Sequence, residues 1–229
     1  MSKEASQYAN ALPDGAYLID KVKVTEHGKI KHYDRDQIKI FTQGRFMYAF
    51  NNALTQSIDA GAGIATWRDG VMIEVPTVNH DGPVAGLSFD VAIELTANGF
   101  DQSIKGFTYE DGRCVDMLEH WDTASTQSSE YDGLWQLNTD GYRETRMIGG
   151  GHFIWLQVAS AGAECSTGFG FGKIQFQSDG TAIETGMTGS EPGYGEVQNS
   201  VTMQTNGSNQ LIRSHLFDGE LIIQTFIRV

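Results

Sequence analysis

The chain has 229 residues with 40% hydrophobic content, 4 prolines and 27 glycines. This is a globular composition, which excludes disordered and fibrous classes. Its formal net charge of −13, with no basic cluster, excludes a nucleic-acid partner and argues against an anionic membrane surface. Two cysteines, Cys114 and Cys165, without a C-x-x-C motif, predict free thiols rather than a disulfide framework or a thiolate zinc site.

In chain order, the first dozen residues are expected to form a short helix. They carry no apolar signal region, and no later run approaches the ~20 apolar residues of a membrane helix, so a cytoplasmic setting is expected. Strand-like alternation follows at Lys21–Thr25, Ile38–Phe41, Phe89–Leu95, Lys173–Gln177 and Ser200–Gln204. Asp-Gly and Asn-Gly pairs at Asp69, Asn98, Asp111, Asp132, Asp179, Asn206 and Asp218 punctuate these runs and predict type I′ hairpins. Asn51–Ala60 is expected to form a second helix or a lid. Thr123–Glu130 reads as a polar linker.

The sequence repeats itself. Asp69-Gly70, Ile73 and Glu74 return as Asp179-Gly180, Ile183 and Glu184, an offset of 110. Lys39, Phe46 and Tyr48 answer Arg146, Phe153 and Trp155 at 107, and Asp14-Gly15 answers Asp132-Gly133 at 118. Asn98-Gly99…Ile104 echoes Asn206-Gly207…Ile212 at 108. A fixed order of blocks with drifting offsets indicates a duplicated domain whose loops differ in length. Each copy holds seven or eight short strands, enough to close one small barrel. The prediction is all-β: two antiparallel barrels, residues 1–127 and 128–229, packed as a pseudo-dimer.

The second copy opens with Gly133-Leu-Trp135 and the chain ends Phe226-Ile-Arg228-Val229. A Gly-x-Trp on the first strand and an Arg on the last resemble the lipocalin (calycin) signature. Arg146-Met-Ile…His152-Phe-Ile-Trp155, followed by a Gly-rich strand, resembles the bacterial lipocalin-like domains of the DUF4488 type. The resemblance implies a barrel with a cavity and no single activity. Copy one departs from it: Tyr17 stands for Trp135, Arg45 for His152, and no terminal Arg follows Glu119–Thr123.

No Gly-x-Ser-x-Gly, phosphate-binding loop or His-Glu-x-x-His occurs. Positions where the copies differ are therefore the places to seek chemistry. His152 is a candidate general base or a structural rim residue, and Arg45 a carboxylate anchor or a solvated strand end. In Glu119-His120-Trp121-Asp122, strand alternation puts Glu119 and Trp121 on one face and His120 with Asp122 on the other. Tyr48, Trp67, His80, Trp121 and Trp155 are candidate ligand contacts in a hollow barrel. These residues predict cofactor-free, metal-free acid–base chemistry of the lyase, isomerase or cyclase kind. The ligand would be small, apolar or aromatic, and the protein a monomer or homodimer. The alternatives are a non-catalytic binder of a small hydrophobic ligand and a pair of solid structural barrels.

Overall fold

A computed structural model describes residues 12–52, 57–108, 112–161 and 164–229. The first copy supplies β1 (Gly15–Glu26), β2 (Lys29–Tyr33), β3 (Gln37–Thr42), β4 (Arg45–Asn52), β5 (Ser57–Arg68), β6 (Val71–Asn79), β7 (Gly82–Pro83), β8 (Phe89–Leu95), β9 (Gly99–Thr108) and β10 (Cys114–Ser125). The second supplies β11 (Gly133–Thr139), β12 (Tyr142–Gly149), β13 (His152–Ala161), β14 (Glu164–Phe176), β15 (Thr181–Gly189), β16 (Gln198–Asn206), β17 (Gln210–Phe217) and β18 (Glu220–Arg228). A 3-10 turn, Tyr194–Glu196, links β15 to β16.

The second copy closes as an eight-stranded antiparallel barrel in sequence order. The first closes through the β10–β1 pairing around β1-β3-β4-β5-β6-β8-β9-β10, with β2 and β7 as short annexes. The chain is thus a duplicated two-barrel β fold. Among the described residues no helix is long and apolar enough to cross a membrane. The expected N-terminal helix lies outside the described residues. The expected helix over Asn51–Ala60 is corrected: Asn51 and Asn52 end β4 and Ser57–Ala60 begin β5, with 53–56 outside the described residues. The segment instead pairs strand to strand, Asn52 with Ser57 and Asn51 with Ile58, which places its backbone groups in the sheet ladder.

Turn chemistry is only partly as expected. Asp69–Gly70 and Asp218–Gly219 have positive φ at both central residues, as a type I′ hairpin requires. Gln43–Gly44 and His27–Gly28 adopt the same conformation without the Asp or Asn cue. At Asp179–Gly180 and Asn206–Gly207 only the glycine is left-handed, so these connections are longer turns. The echo at offset 108 is consequently out of register. Phe100 pairs with Trp121 as Leu211 pairs with Phe226, so Phe100 matches Leu211, three positions further along.

One backbone device recurs in both copies. A bulge interrupts β5–β6 at Ala62/Gly63 and β14–β15 at Phe171/Gly172. A Cβ on Gly63 would lie 2.1 Å from the Val75 carbonyl oxygen, and one on Gly172 2.0 Å from that of Thr185. Only glycine lets the bulged strand approach its neighbour this closely.

The barrels pack through outer strand faces, β3–β5 against β11–β14. Ile38, Ile40, Met47, Ala49, Ala60 and Ala62 meet Leu134, Met147, Ile154, Leu156, Phe169 and Phe171 in one buried cluster. The sides are complementary: Ala49, Ala60 and Ala62 stand where the other copy has Leu156, Phe169 and Phe171. Small residues on one side admit large ones from the other, so a dry interface forms between two similar sheets.

Candidate functional site

Each barrel has an apolar floor. In copy one it consists of Tyr17, Phe41, Phe46, Met72, Val91, Phe100 and Trp121. Above it lies a ring of buried polar side chains. Lys39 Nζ donates to Glu74 Oε1 at 2.5 Å and to Gln102 Oε1 at 2.9 Å. Gln102 Nε2 and Trp121 Nε1 donate to Glu119 Oε2 at 3.0 and 3.3 Å. Lys39 also sits 5.1 and 5.4 Å above the Phe41 and Phe46 rings. Strand alternation explains the layering: Lys39 and Phe41, Gln102 and Phe100, Glu119 and Trp121 are i, i+2 pairs facing inward.

Above this ring the barrel is hollow. A cavity of about 280 Å³ is lined by the polar ring, by Phe50, Phe89, Phe107 and Met117, and at the mouth by Arg35, Tyr48 and Asp59. The Arg35 guanidinium stacks on the Phe50 ring at 4.5 Å and lies 3.8 Å from Glu119 Oε1, beyond hydrogen-bond reach. Tyr48 donates its hydroxyl proton to Asp59 at 3.0 Å. Burial pushes the Glu119 carboxyl above its ordinary value, against the opposing pull of Lys39 and Arg35. Burial likewise raises Asp59, partly offset by the Tyr48 hydrogen bond, and raises the Tyr48 hydroxyl itself. Desolvation disfavours the charged form of each.

The matching ring of copy two is occupied by its own side chains. Arg146 donates to Glu144 and Glu184, both at 2.8 Å, and Arg213 to Glu184 at 2.8 Å and Gln224 at 2.7 Å. Burial alone would raise Glu184, but Arg146 and Arg213 outweigh it and hold the carboxyl below its usual value. Nearby, the Trp155 indole donates to the Tyr194 hydroxyl at 2.8 Å.

The sequence candidates separate into three places. Glu119, Tyr48 and Trp121 come together in the cavity of copy one. His120 and Asp122 share the outer face of β10, where His120 contacts Asp101 and lies 3.8 Å from Asp122. Asp122 borders a larger but shallow, solvent-open hollow of about 630 Å³ beside Tyr17 and Asn98; its lining mixes strand ends with turn residues, without a buried polar ring. His152 and Arg45 belong to the outer faces at the rim of the inter-barrel contact. His152 is buried, its Nδ1–H donates to the Gly150 carbonyl at 2.7 Å, and burial lowers its pKa. Arg45 donates to the Val229 carbonyl at 3.1 Å. Trp67 packs at the margin of the floor, and His80 sits 3.5 Å from Asp81 near the mouth. Trp155 is in the other barrel. Lys39, Glu74, Gln102, Gln37, Asp59 and Arg35 are polar cavity residues that sequence reasoning missed. Lys39 and Glu74 matched their counterparts in copy two, and a difference filter discards such positions.

At the closed end of copy two, Arg228 lies 4.0 Å from the Trp135 ring centroid, and its guanidinium donates to the carbonyl of Asp132 and the side chain of Gln43. In copy one Tyr17 donates to the Pro13 carbonyl at 2.6 Å, as Trp135 does to that of Tyr131 at 3.0 Å. The sequence matches no protein-family model and no curated protein. Its fold is similar to that of an uncharacterised Saccharomyces cerevisiae protein, YLR301w, whose crystal structure superposes with a TM-score of 0.52 at 9% identity, over 93% of this chain and 98% of that one. At that identity the likeness concerns the two-barrel fold alone.

Proposed function

We propose that copy one is the working barrel: a lipocalin-like cavity that takes a small apolar or aromatic molecule and carries out cofactor-independent acid–base chemistry of the lyase, isomerase or cyclase kind. The lipocalin-like affiliation is favoured by the Arg228–Trp135 stack. The observation that carries the reading is Glu119: a carboxyl buried against Trp121, lining the cavity and held above its ordinary pKa by burial. A carboxyl so tuned accepts and returns a proton near neutral pH more readily than an exposed one. Tyr48–Asp59 offers a second exchangeable proton at the mouth, and Arg35 stabilises negative charge there. A cytoplasmic monomer is the setting this reading takes.

Incubation with a library of small aromatic and alicyclic compounds, followed by mass spectrometry, tests it. Conversion by the wild-type protein that is lost in Glu119→Gln, with the fold retained by circular dichroism, is the expected result. Conversion that survives in Glu119→Gln would remove the residue from the chemistry. Saturable binding without conversion would favour the second reading, a non-catalytic binder. That reading has its own support: Glu119 Oε2 already accepts two hydrogen bonds, as a purely structural carboxylate would.

A further inference from the structure

The two barrels serve as controls for each other. In copy two the buried ring is balanced, with Arg146 and Arg213 against Glu144 and Glu184. Strand register makes Gln102 the counterpart of Arg213 and Glu119 that of Gln224, since Gln102 pairs with Glu119 as Arg213 pairs with Gln224. Gln37 matches Glu144 at the offset of 107 that relates Lys39 to Arg146. Copy one has therefore exchanged a guanidinium for a neutral amide and moved a carboxylate across the ring. Its cavity is lined by two cations, Arg35 and Lys39, and three carboxylates, Asp59, Glu74 and Glu119. With all ionised, it is one positive charge short.

A second observation at the same place concerns donors. In copy two the matched pair is joined: Gln224 donates to Glu144 at 3.2 Å. In copy one Gln37 is buried and lines the cavity, yet its Oε1 has no hydrogen-bond partner among the described residues. A buried acceptor without a donor is costly, of the order of 1–3 kcal/mol. The cavity is thus short of both a positive charge and a hydrogen-bond donor, and aromatic rings from Phe46, Phe50, Phe89 and Trp121 form its walls.

We infer that the ligand of the copy-one cavity is a small monocationic amine with an aromatic or apolar body, its ammonium taking the place that Arg213 fills in copy two. The ammonium donates to Glu119 and to Gln37 Oε1, and the body lies against the aromatic walls. An ammonium has three donors and no acceptor, which suits a carboxylate beside an unmatched amide oxygen. Aromatic faces add cation–π attraction. The burial that raises Glu119 and Asp59 is relieved by such a cation. An anionic ligand would meet Arg35 at the mouth, but with Asp59 beside it, and deeper in would face Glu74 and Glu119 against Lys39 alone among the lining cations. This inference rests on the small-molecule reading above and sharpens it.

The experiment titrates full-length protein at pH 7 with phenethylamine, 2-phenylethanol and 3-phenylpropionate, which share a body and differ in charge, by calorimetry and tryptophan fluorescence. The amine is expected to bind at least about tenfold tighter than the alcohol, equivalent to 1.4 kcal/mol, with the anion weakest. Glu119→Gln should remove most of that preference, bringing the amine close to the alcohol. Gln102→Arg, which restores the cation of copy two, should abolish amine binding in a folded protein. If the alcohol or the anion binds as well as the amine, the charge assignment is overturned while a small-molecule cavity stands. If none of the three binds, this inference is overturned, and the conversion assay judges the acid–base reading separately. An amine preference that survives both substitutions also overturns it.

Discussion

Copy one and copy two bury the same glutamate against a cation at the same height in the barrel, and there the likeness ends. Glu184 is clamped by Arg146 and Arg213, whereas among the described residues Glu74 is paired with one cation, Lys39. The second guanidinium of copy two fills space and supplies charge; in copy one the shorter, neutral Gln102 stands in its place, and a cavity lies above the ring. One barrel has its ring closed by ion pairs, and the other keeps a cavity, an unmatched acceptor and a carboxyl whose charge burial disfavours. Duplication permits this division, since the inter-barrel contact needs only the outer faces.

The largest test of the comparison is Arg146→Met. It leaves Glu144 and Glu184 buried with one guanidinium between them, and a loss of about 3–5 kcal/mol in denaturant unfolding is expected. A loss below 1 kcal/mol would mean that the ring is not a stabilising clamp. Next, Gly63→Ala and Gly172→Ala should each cost about 1–3 kcal/mol, because the added methyl meets a carbonyl oxygen across the bulge. Similar costs at both sites are what a shared barrel frame requires. Smaller again is Arg228→Ala, which removes the contact with Trp135 and hydrogen bonds near the surface, at about 1–2 kcal/mol. Tyr17→Phe in copy one, which removes only the bond to Pro13, is the matched control.

The finest distinction is in pH dependence. Glu184 sits below its ordinary value of 4.5, so the folded chain holds this proton less than the unfolded chain. Its stabilisation is complete above that value and is lost as pH falls through the lower folded pKa. Glu119 sits above 4.5, so the sign reverses: its contribution is present below that value and is lost as pH rises through the folded pKa. Glu119→Gln should therefore melt higher than wild type at pH 7, with the gain shrinking toward pH 4.5. Glu184→Gln should melt lower at pH 7, with the deficit shrinking in acid. Parallel profiles for the two substitutions would contradict the contrast between the rings.

Much of the frame was legible because it is written in period two and in repeated blocks. Phe46 and Phe153, Glu74 and Glu184, and the Asp69 and Asp179 turns announce one barrel built twice, and the alternation around Glu119 and Trp121 correctly put both on one face. The candidate site was less legible. The Arg45/His152 difference looked like chemistry, but both residues lie on the outward row that continues through Met47 and Ala49, or Ile154 and Leu156, into the inter-barrel contact. Copies diverge there because two similar sheets must become complementary. Conversely, Lys39 and Glu74 look like shared scaffold, and they line the cavity.

The sequence by itself determined the strand alternation and the duplication, because these follow from local spacing. Only the tertiary structure decided which face of each barrel meets the other, that Gln102 stands in for Arg213, and that Gln37 is left without a donor. Those facts depend on pairing register between strands far apart in the chain, where turn lengths shift the match by three positions. A sequence echo at constant offset cannot carry that information.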